Sequence, residues 1–145
     1  MRWALLIEDE ADHRLLIREA MARMSPPVDL FEVGTATEAI TWVRERAAEP
    51  DGLAGGLVIL DLGLPGPSGF RFLEWVREHR ALDDLPVVVL TASENPMDAE
   101  HAFFLGAKGY YQKPADFRRY VDLFERAFRI HRPGGSSSAG AQSGS

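Results

Sequence analysis

The sequence contains no cysteine, which excludes a disulfide framework and any metal site built on thiolates. It also has no apolar run long enough to cross a bilayer. The first apolar segment, residues 3–7, is followed at once by Glu8, Asp9 and Glu10, which is too early for the core of a signal peptide. We therefore expect a soluble cytoplasmic protein with no membrane partner.

Blocks of basic residues are absent as well, and the 145 residues carry a formal net charge of -6. Recognition of nucleic acid through its phosphates requires clustered lysine or arginine, so we expect no nucleic-acid partner. Neither a GxGxxG turn nor a P-loop is present, which argues against dinucleotide and ATP binding. With 46% hydrophobic residues, the chain is long enough for one well-buried domain and too short for two ordinary ones.

The most informative segment is residues 58–66, where three aliphatic residues lead to Asp61 and then to a turn rich in glycine and proline. Such a short apolar run is typical of a strand that is buried on both faces. A carboxylate at the end of a central strand of an α/β sheet lies in the crevice where these folds bind ligands. Asp61 could also serve only to shape the turn that follows.

Four further apolar runs alternate with helical patterns along the chain. Strands are predicted at residues 3–7, 30–33, 58–61, 85–90 and 109–112, and helices at residues 11–24, 35–48, 69–80, 95–105 and 116–130. Parallel strands need crossover connections of this length. The pattern therefore predicts an α/β fold, in which helices cover both faces of a five-stranded parallel sheet.

Residues 132–145 consist mostly of glycine, serine and alanine and cannot bury enough surface to fold. We therefore predict one domain over residues 1–131, followed by a flexible tail. In the first helix the residues expected to face the core are Leu15, Leu16, Ala20 and Met24.

The last predicted helix carries more apolar surface than a single core-facing stripe requires. One stripe, assigned to the core, consists of Phe117, Val121, Phe124 and Phe128. A second stripe beside it consists of Tyr120, Leu123, Ala127 and Ile130. The second stripe could also be buried, but we favour an interface, which predicts a homodimer through the last helix and strand.

The carboxyl ends of parallel strands meet at one edge of a sheet, which would gather Glu8, Asp9, Asp61, Thr91 and Lys113. Carboxylates this close raise each other's pKa unless a cation lies between them. Oxygen ligands without histidine or cysteine favour a hard ion, and a few carboxylates with water suit Mg²⁺. Lys113 and Thr91 would then complete a site suited to phosphoryl transfer.

Each of these residues also has a simpler interpretation. The acidic segment from Glu8 to Glu10 could be a solvated helix start, Thr91 an ordinary strand residue, and Lys113-Pro114 an exposed turn. Taken singly, these simpler interpretations are at least as good. Because these residues occur together at the ends of successive strands, a shared functional site is favoured.

Over residues 3–130 the chain resembles the receiver domain of two-component response regulators. The resemblance rests on the pair Glu8-Asp9, on Asp61 with Leu64-Pro65 and Ser68-Gly69, on Thr91-Ala92, and on residues 106–110 leading to Lys113-Pro114. It implies a doubly wound, flavodoxin-like sheet with strand order 2-1-3-4-5.

The resemblance implies that Asp61 accepts a phosphoryl group from the phosphohistidine of a sensor histidine kinase or a phosphotransfer protein. It implies Mg²⁺ ligation by Glu8, Asp9, Asp61 and the Gly63 carbonyl, and phosphoryl contacts from Thr91, the Ala92 N–H and Lys113. The protein would catalyse only its own phosphorylation and loss of phosphate, so we do not expect an enzyme with a separate substrate.

The resemblance further implies a switch. Thr91 would move toward the phosphoryl group and the Tyr110 ring would take the vacated space, which changes the face formed by the fourth helix, fifth strand and fifth helix. The Lys113–Pro114 bond is expected to be cis. Residues 90–93 and 113–117 are similar to stand-alone bacterial regulators of phytochrome-type kinases, whose output is protein contact or phosphorelay.

Two positions depart from the usual receiver pattern, namely Gly63, where a larger side chain is usual, and Ser68, where Asp or Asn is common. Gly63 and Ser93 would flank the path of water to the phosphoryl group, so small residues there would leave an acyl phosphate open to hydrolysis. Two other functions are weaker. A haloacid-dehalogenase-like phosphatase needs a second Asp at position 63, and a phosphorylation-independent binding module would not need an intact ligand set.

Overall fold

Five strands and five α-helices alternate along the computed structural model, which describes residues 2–66 and 68–131. The strands are β1 (Arg2–Ile7), β2 (Val28–Val33), β3 (Gly56–Leu60), β4 (Val87–Thr91) and β5 (Gly109–Gln112). The helices are α1 (Ala11–Ala22), α2 (Ala36–Ala47), α3 (Gly69–Arg77), α4 (Pro96–Phe104) and α5 (Phe117–Ile130). No helix within these ranges has both the length and the apolar character needed to cross a membrane. The predicted tail, residues 132–145, lies outside the described residues.

All strand pairs are parallel, and the order in the sheet is β2-β1-β3-β4-β5. The doubly wound, flavodoxin-like α/β fold and its strand order are therefore confirmed. The chain first steps from β1 outward to β2 and then returns to place β3 on the other side of β1. This reversal opens a crevice beyond the carboxyl ends of β1 and β3, where folds of this type bind ligands.

The sheet separates two apolar layers, and β1, β3 and β4 are buried on both faces. Alternate residues of each strand point to opposite layers, as the two-residue repeat of a strand requires. In β1, Leu5 and Ile7 join the layer beneath α2 and α3, whereas Ala4 and Leu6 join the layer beneath α1 and α5. This double burial explains why the strands appear in the sequence as continuous aliphatic runs.

Side-chain caps define where several helices begin. Thr35 accepts a hydrogen bond from the Glu38 N–H at the start of α2, and Asn95 accepts one from the Met97 N–H at the start of α4. Asp116 accepts one from the Arg119 N–H at the start of α5. Ser68 occupies the cap position of α3, but its side chain makes no capping hydrogen bond.

Of the four residues predicted to face the core from α1, Ala20 and Met24 are buried and Leu16 is partly buried, but Leu15 is not. Leu15 is 48% exposed, whereas Ile17 and Met21 are buried together with Ala20 and Met24. Ile17, Ala20 and Met21 follow the spacing i, i+3 and i+4 that places side chains on one helix face, and Met24 follows just after the helix ends. Leu15 lies off this stripe, so the prediction that it faces the core was wrong.

The division of α5 into a core stripe and an interface stripe was also wrong. Tyr120 and Ala127 are buried beside Phe124 and Phe128 in the layer shared with α1. With 3.6 residues per turn, Tyr120 and Ala127 lie next to Phe124 and Phe128 on one stripe about 100° wide, and they cannot offer their side chains to a partner. Of the proposed interface residues, Leu123 is partly buried and Ile130 is 59% exposed. The homodimer stays a prediction.

The peptide bond before Pro114 differs from the prediction. Among the described residues the cis bond is Ser25–Pro26, so Lys113–Pro114 is trans. The Lys113 N–H donates to the Thr91 carbonyl at 2.8 Å, which continues the β4–β5 ladder to the end of the strand. The chain enters α5 from there with the isomer that X–Pro bonds favour.

The revised core face of α5 can be checked by mutation. Replacing Phe124 by Ala should lower the free energy of unfolding by about 3–5 kcal/mol, because it removes a buried ring and leaves a cavity. Replacing the exposed Ile130 by Ala should change it by no more than about 0.5 kcal/mol. Urea unfolding followed by circular dichroism measures both. Equal losses for the two variants would contradict this assignment.

Candidate functional site

Backbone pairing brings the first two acidic side chains together. Ile7 of β1 is the register partner of Leu60 of β3, so the next residues, Glu8 and Asp61, leave the sheet side by side. The Asp61 N–H donates to the Ile7 carbonyl at 3.1 Å, and the Glu8 N–H donates to the Val33 carbonyl at 3.0 Å. Both residues are therefore fixed by the ladder at the crevice where the strand order reverses.

These two carboxylates are buried, with Glu8 only 1% and Asp61 7% exposed. Asp9 is exposed, and one oxygen from each of the three residues lies within 4.8 Å of the others. Buried carboxylates are costly unless a cation or hydrogen-bond donors compensate them. The groups around them therefore determine the electrostatics of the site.

Lys113 supplies a positive charge to both buried carboxylates. Its Nζ lies 3.3 Å from Glu8 Oε1 and 3.3 Å from Asp61 Oδ2. Lys113 follows β5, and its side chain reaches across the end of β4 to the other two strands. The sequence placed this lysine at the correct edge, and the structure shows that it bridges the two acids.

A second group holds Glu8 from the other side. His13 Nδ1 lies 2.7 Å from Glu8 Oε1, and His13 Nε2 lies 2.8 Å from the Tyr120 hydroxyl. The Glu10 N–H donates to Glu8 Oε2 at 3.2 Å, and Arg14 Nε donates to the Glu8 carbonyl at 2.7 Å. Sequence reasoning missed both His13 and Tyr120 as site residues. Only the position of His13, shortly after the acidic segment, offered a signal.

Burial alone would raise the pKa of Glu8. The hydrogen bond with His13, the charge of Lys113 and the Glu10 N–H outweigh it and lower the pKa of Glu8 to about 2. Burial also raises the pKa of Asp61, and the charge of Glu8 adds to that rise, while the Gly63 N–H and Lys113 oppose it. The net pKa of Asp61 is above its usual value. Glu8 is thus firmly ionised, and Asp61 holds its charge less strongly.

Asp61 opens into a pocket of about 400 Å³. The Gly63 N–H donates to Asp61 Oδ1 at 3.0 Å and fixes the orientation of the carboxylate. Thr91, Ala92 and Lys113 line the same pocket, as the sequence predicted for the phosphoryl-contacting residues. A small anion entering here would meet Asp61 together with these three residues.

The end of β4 is tied to α4. The Thr91 hydroxyl is buried and accepts a hydrogen bond from the Ser93 N–H at 3.3 Å. The Ser93 hydroxyl in turn donates to Asp98 Oδ2 of α4 at 2.6 Å. A displacement of Thr91 would therefore pull on a segment that is hydrogen-bonded to α4.

Tyr110 lies on the same face of the sheet as Thr91. Its register partner is Val89, two residues before Thr91, and residues two apart on a strand share a face. The Tyr110 ring lies 6.4 Å from the Phe103 ring of α4. Its hydroxyl is buried and has no hydrogen-bond partner among the described residues. The ring is thus packed without being anchored at its polar end.

The donor set fits a hard divalent cation. Glu8, Asp9 and Asp61 offer only oxygen, and their spacing allows one ion to contact all three. The nearby imidazole of His13 is already engaged by Glu8 and Tyr120. The chemistry of the site therefore favours Mg²⁺ over ions that prefer nitrogen or sulfur.

The sequence profile of the response regulator receiver domain matches residues 4–125. The chain belongs to the receiver-domain family. This family consists of the signalling domains of two-component response regulators, so the resemblance inferred from the motifs is confirmed. The matched range covers all the site residues described above.

Among related receiver domains, the transcriptional regulatory protein GltR of Pseudomonas aeruginosa is 31% identical over 128 residues. The match covers 88% of this chain and 49% of GltR. The chain thus spans about half the length of this relative.

Two solved receiver structures are similar over nearly their whole length. The phosphorylated cyanobacterial phytochrome response regulator RcpA has 27% identity and a TM-score of 0.77, with 93% of this chain and 96% of RcpA covered. Response regulator RPA3017 in red light signalling of R. palustris has 25% identity and a TM-score of 0.79, with 94% and 97% covered. Receiver domains without an attached output domain are therefore close structural neighbours.

The electrostatic role of Lys113 in this receiver domain predicts a pH-dependent stability change. Replacing Lys113 by Met should lower the free energy of unfolding by about 3–5 kcal/mol at neutral pH, because two buried carboxylates lose their shared cation. The pKa of Asp61 should then rise further. A carboxyl whose pKa is raised by folding destabilises the fold when it is ionised. The stability lost by Lys113→Met should therefore be complete above the pKa of Asp61 in the folded protein, and it should shrink as the pH falls through that pKa.

Urea unfolding over a range of pH measures this effect. The matched control is Lys108→Met, because Lys108 is the other lysine of the chain and is exposed. A Lys113→Met variant that loses no more stability than Lys108→Met would refute the role given to the ion pairs.

Proposed function

We propose that this receiver domain accepts a phosphoryl group on Asp61 from a phosphohistidine. The observation that carries the proposal is the buried Asp61 carboxylate, which faces an open pocket with Lys113 at 3.3 Å. In the transfer, an Asp61 oxygen forms a bond to phosphorus while the bond from phosphorus to the donor's imidazole nitrogen breaks. The electron pair of that bond stays on the imidazole. The product is an acyl phosphate on Asp61.

The residues around Asp61 suit this transfer. The Gly63 N–H holds one carboxylate oxygen at 3.0 Å, so the nucleophile is oriented before a donor arrives. Lys113 can turn from the carboxylates to the phosphoryl oxygens, which carry the charge that the reaction must stabilise. The Thr91 hydroxyl and the Ala92 N–H can donate further hydrogen bonds from the same pocket.

Negative charge is the main obstacle, because a phosphoryl group must approach three carboxylates, only two of which pair with Lys113. Glu8, Asp9, Asp61 and the Gly63 carbonyl would hold a Mg²⁺ ion. When bound, Mg²⁺ supplies the positive charge that neutralises the phosphoryl oxygens.

The proposal includes a switch on the face formed by α4, β5 and α5. Phosphorylation would draw the Thr91 hydroxyl toward the new oxygens and release the Ser93 segment that is tied to Asp98. The Tyr110 ring, whose hydroxyl has no partner among the described residues, would follow into the vacated space. Phe103 of α4 is exposed and lies beside the Tyr110 ring, so it would be the first apolar group of α4 to be rearranged.

The donor would be a sensor histidine kinase or a histidine phosphotransfer protein, and the output protein contact or phosphorelay in a bacterial cytoplasm. The similarity to RcpA and to RPA3017 favours a kinase of the phytochrome type. Both similarities extend over more than nine-tenths of this chain.

Intact mass spectrometry tests the phosphoacceptor. Incubation with Mg²⁺ and acetyl phosphate should add the mass of one phosphoryl group to the wild type, and Asp61→Asn should remain unmodified. Asp98→Asn is the matched control, because Asp98 lines the same pocket and should leave the adduct intact. An adduct on Asp61→Asn, or steady hydrolysis of added phosphoesters as in a phosphatase, would refute the proposal.

The small residue at position 63 predicts a short-lived acyl phosphate. A Cβ atom at this position would lie 3.6 Å from Asp61 Oδ1, so a longer side chain would cover the carboxylate and hinder water. Gly63→Met should therefore slow the loss of phosphate several-fold, as followed by the decay of the mass adduct. Ala47→Met, on the exposed surface of α2, is the control. An unchanged or faster rate for Gly63→Met would reject the hypothesis.

A further inference from the structure

We propose that His13 is a positioning residue for Glu8, and that Tyr120 of α5 holds His13 in place. The inference rests on the proposed function, because Glu8 would act there as a ligand of Mg²⁺. It assigns a role in the site to two side chains that contact neither the pocket nor Asp61. It also links the metal site directly to α5 through a chain of two hydrogen bonds.

The series of hydrogen bonds from Tyr120 to Glu8 is short and continuous. Tyr120 Oη lies 2.8 Å from His13 Nε2, and His13 Nδ1 lies 2.7 Å from Glu8 Oε1. Tyr120 and Glu8 are both buried, and the His13 side chain is only 12% exposed. Little water reaches these groups, so each depends on the others for hydrogen bonding. The distance from Tyr120 to Glu8 along the sequence is more than a hundred residues.

The chemistry of the three groups gives the chain a direction. An ionised carboxylate only accepts hydrogen bonds, so His13 Nδ1 must carry a hydrogen and donate it to Glu8. The Tyr120 hydroxyl can then donate to the unprotonated Nε2. Burial, together with the charges of Glu8 and Asp61, raises the pKa of Tyr120 to about 12, so the hydroxyl keeps its hydrogen.

The positioning role of His13 follows from the movement of Lys113, which would leave Glu8 to contact a phosphoryl group. Glu8 Oε1 has two partners, His13 at 2.7 Å and Lys113 at 3.3 Å. When Lys113 turns to a phosphoryl group, His13 is the partner that remains on this oxygen. A ligand carboxylate that keeps a hydrogen-bond donor keeps its orientation, which preserves affinity for the ion. Without His13, Glu8 would be free to turn toward Lys113 and away from a cation.

Binding of Mg²⁺ measured by titration calorimetry on the full chain tests this role. His13→Leu should raise the Mg²⁺ dissociation constant about tenfold or more, the usual effect of losing such a partner. Tyr120→Phe, which keeps the ring and removes only the hydroxyl, should raise it about threefold, as expected for one hydrogen bond. His13→Asn should restore most of the affinity, because its amide can donate from a position close to Nδ1.

The double variant His13→Leu/Tyr120→Phe shows whether Tyr120 acts through His13 or independently of it. If Tyr120 acts only through His13, the double variant should bind Mg²⁺ as His13→Leu does. The ¹⁵N shifts of the His13 ring at mildly alkaline pH should report a protonated Nδ1 and an unprotonated Nε2. Tyr111→Phe is the matched control, because it removes another Tyr–His hydrogen bond, at 2.9 Å to His131, away from the carboxylates.

Several results would overturn the inference. One is an affinity for Mg²⁺ in both His13→Leu and Tyr120→Phe that equals that of the wild type. Another is tighter Mg²⁺ binding by His13→Leu, which would mean that His13 competes with the ion. If the Mg²⁺ dissociation constant of the double variant rises by the product of the two single effects, Tyr120 acts independently of His13. If His13→Leu does not fold, His13→Asn and Tyr120→Phe still decide. Absence of Mg²⁺ binding by the wild type would instead overturn the proposed metal site itself.

Discussion

The buried charge of Glu8 and Asp61 is the constraint on which the rest of the site depends. Parallel pairing of β1 with β3 forces both carboxylates to the same point of the crevice. Because little of either carboxylate is exposed to water, the surrounding chain must supply compensation, and Lys113, His13 and two backbone N–H groups do so. The compensation is uneven, and this leaves Glu8 firmly ionised, whereas Asp61 holds its charge less strongly.

This uneven compensation fits the proposed switch. Lys113 is shared between two acids and can leave either, whereas the donors on Glu8 from α1 are fixed by helix geometry. On the opposite side of the sheet, Thr91, Ser93 and Asp98 form a hydrogen-bonded connection from the pocket to α4. The Glu8 carboxylate is thus connected to α5 through His13 and Tyr120, and the pocket is connected to α4 through Ser93.

Much of the molecule could be predicted because its signals are local. Aliphatic runs that end at Glu8, Asp61 and Thr91 identify strands buried on both faces, and the helical segments between them require parallel pairing. Within a helix that carries apolar residues on more than one face, the 3.6-residue repeat does not decide which face is buried. This is why Leu15 was placed in the core and Tyr120 and Ala127 at an interface, whereas packing decided the opposite.

By itself, the sequence determined the fold, its strand order and the residues that meet at the carboxyl edge, because these follow from hydrophobic periodicity and the receiver motifs. Only the tertiary structure decided which groups satisfy Glu8, since the hydrogen bonds from Tyr120 through His13 join helices far apart in the chain. It also decided the trans bond before Pro114 and the single core stripe of α5. Such details depend on distances across the packed interior, for which no periodicity in a sequence gives a signal.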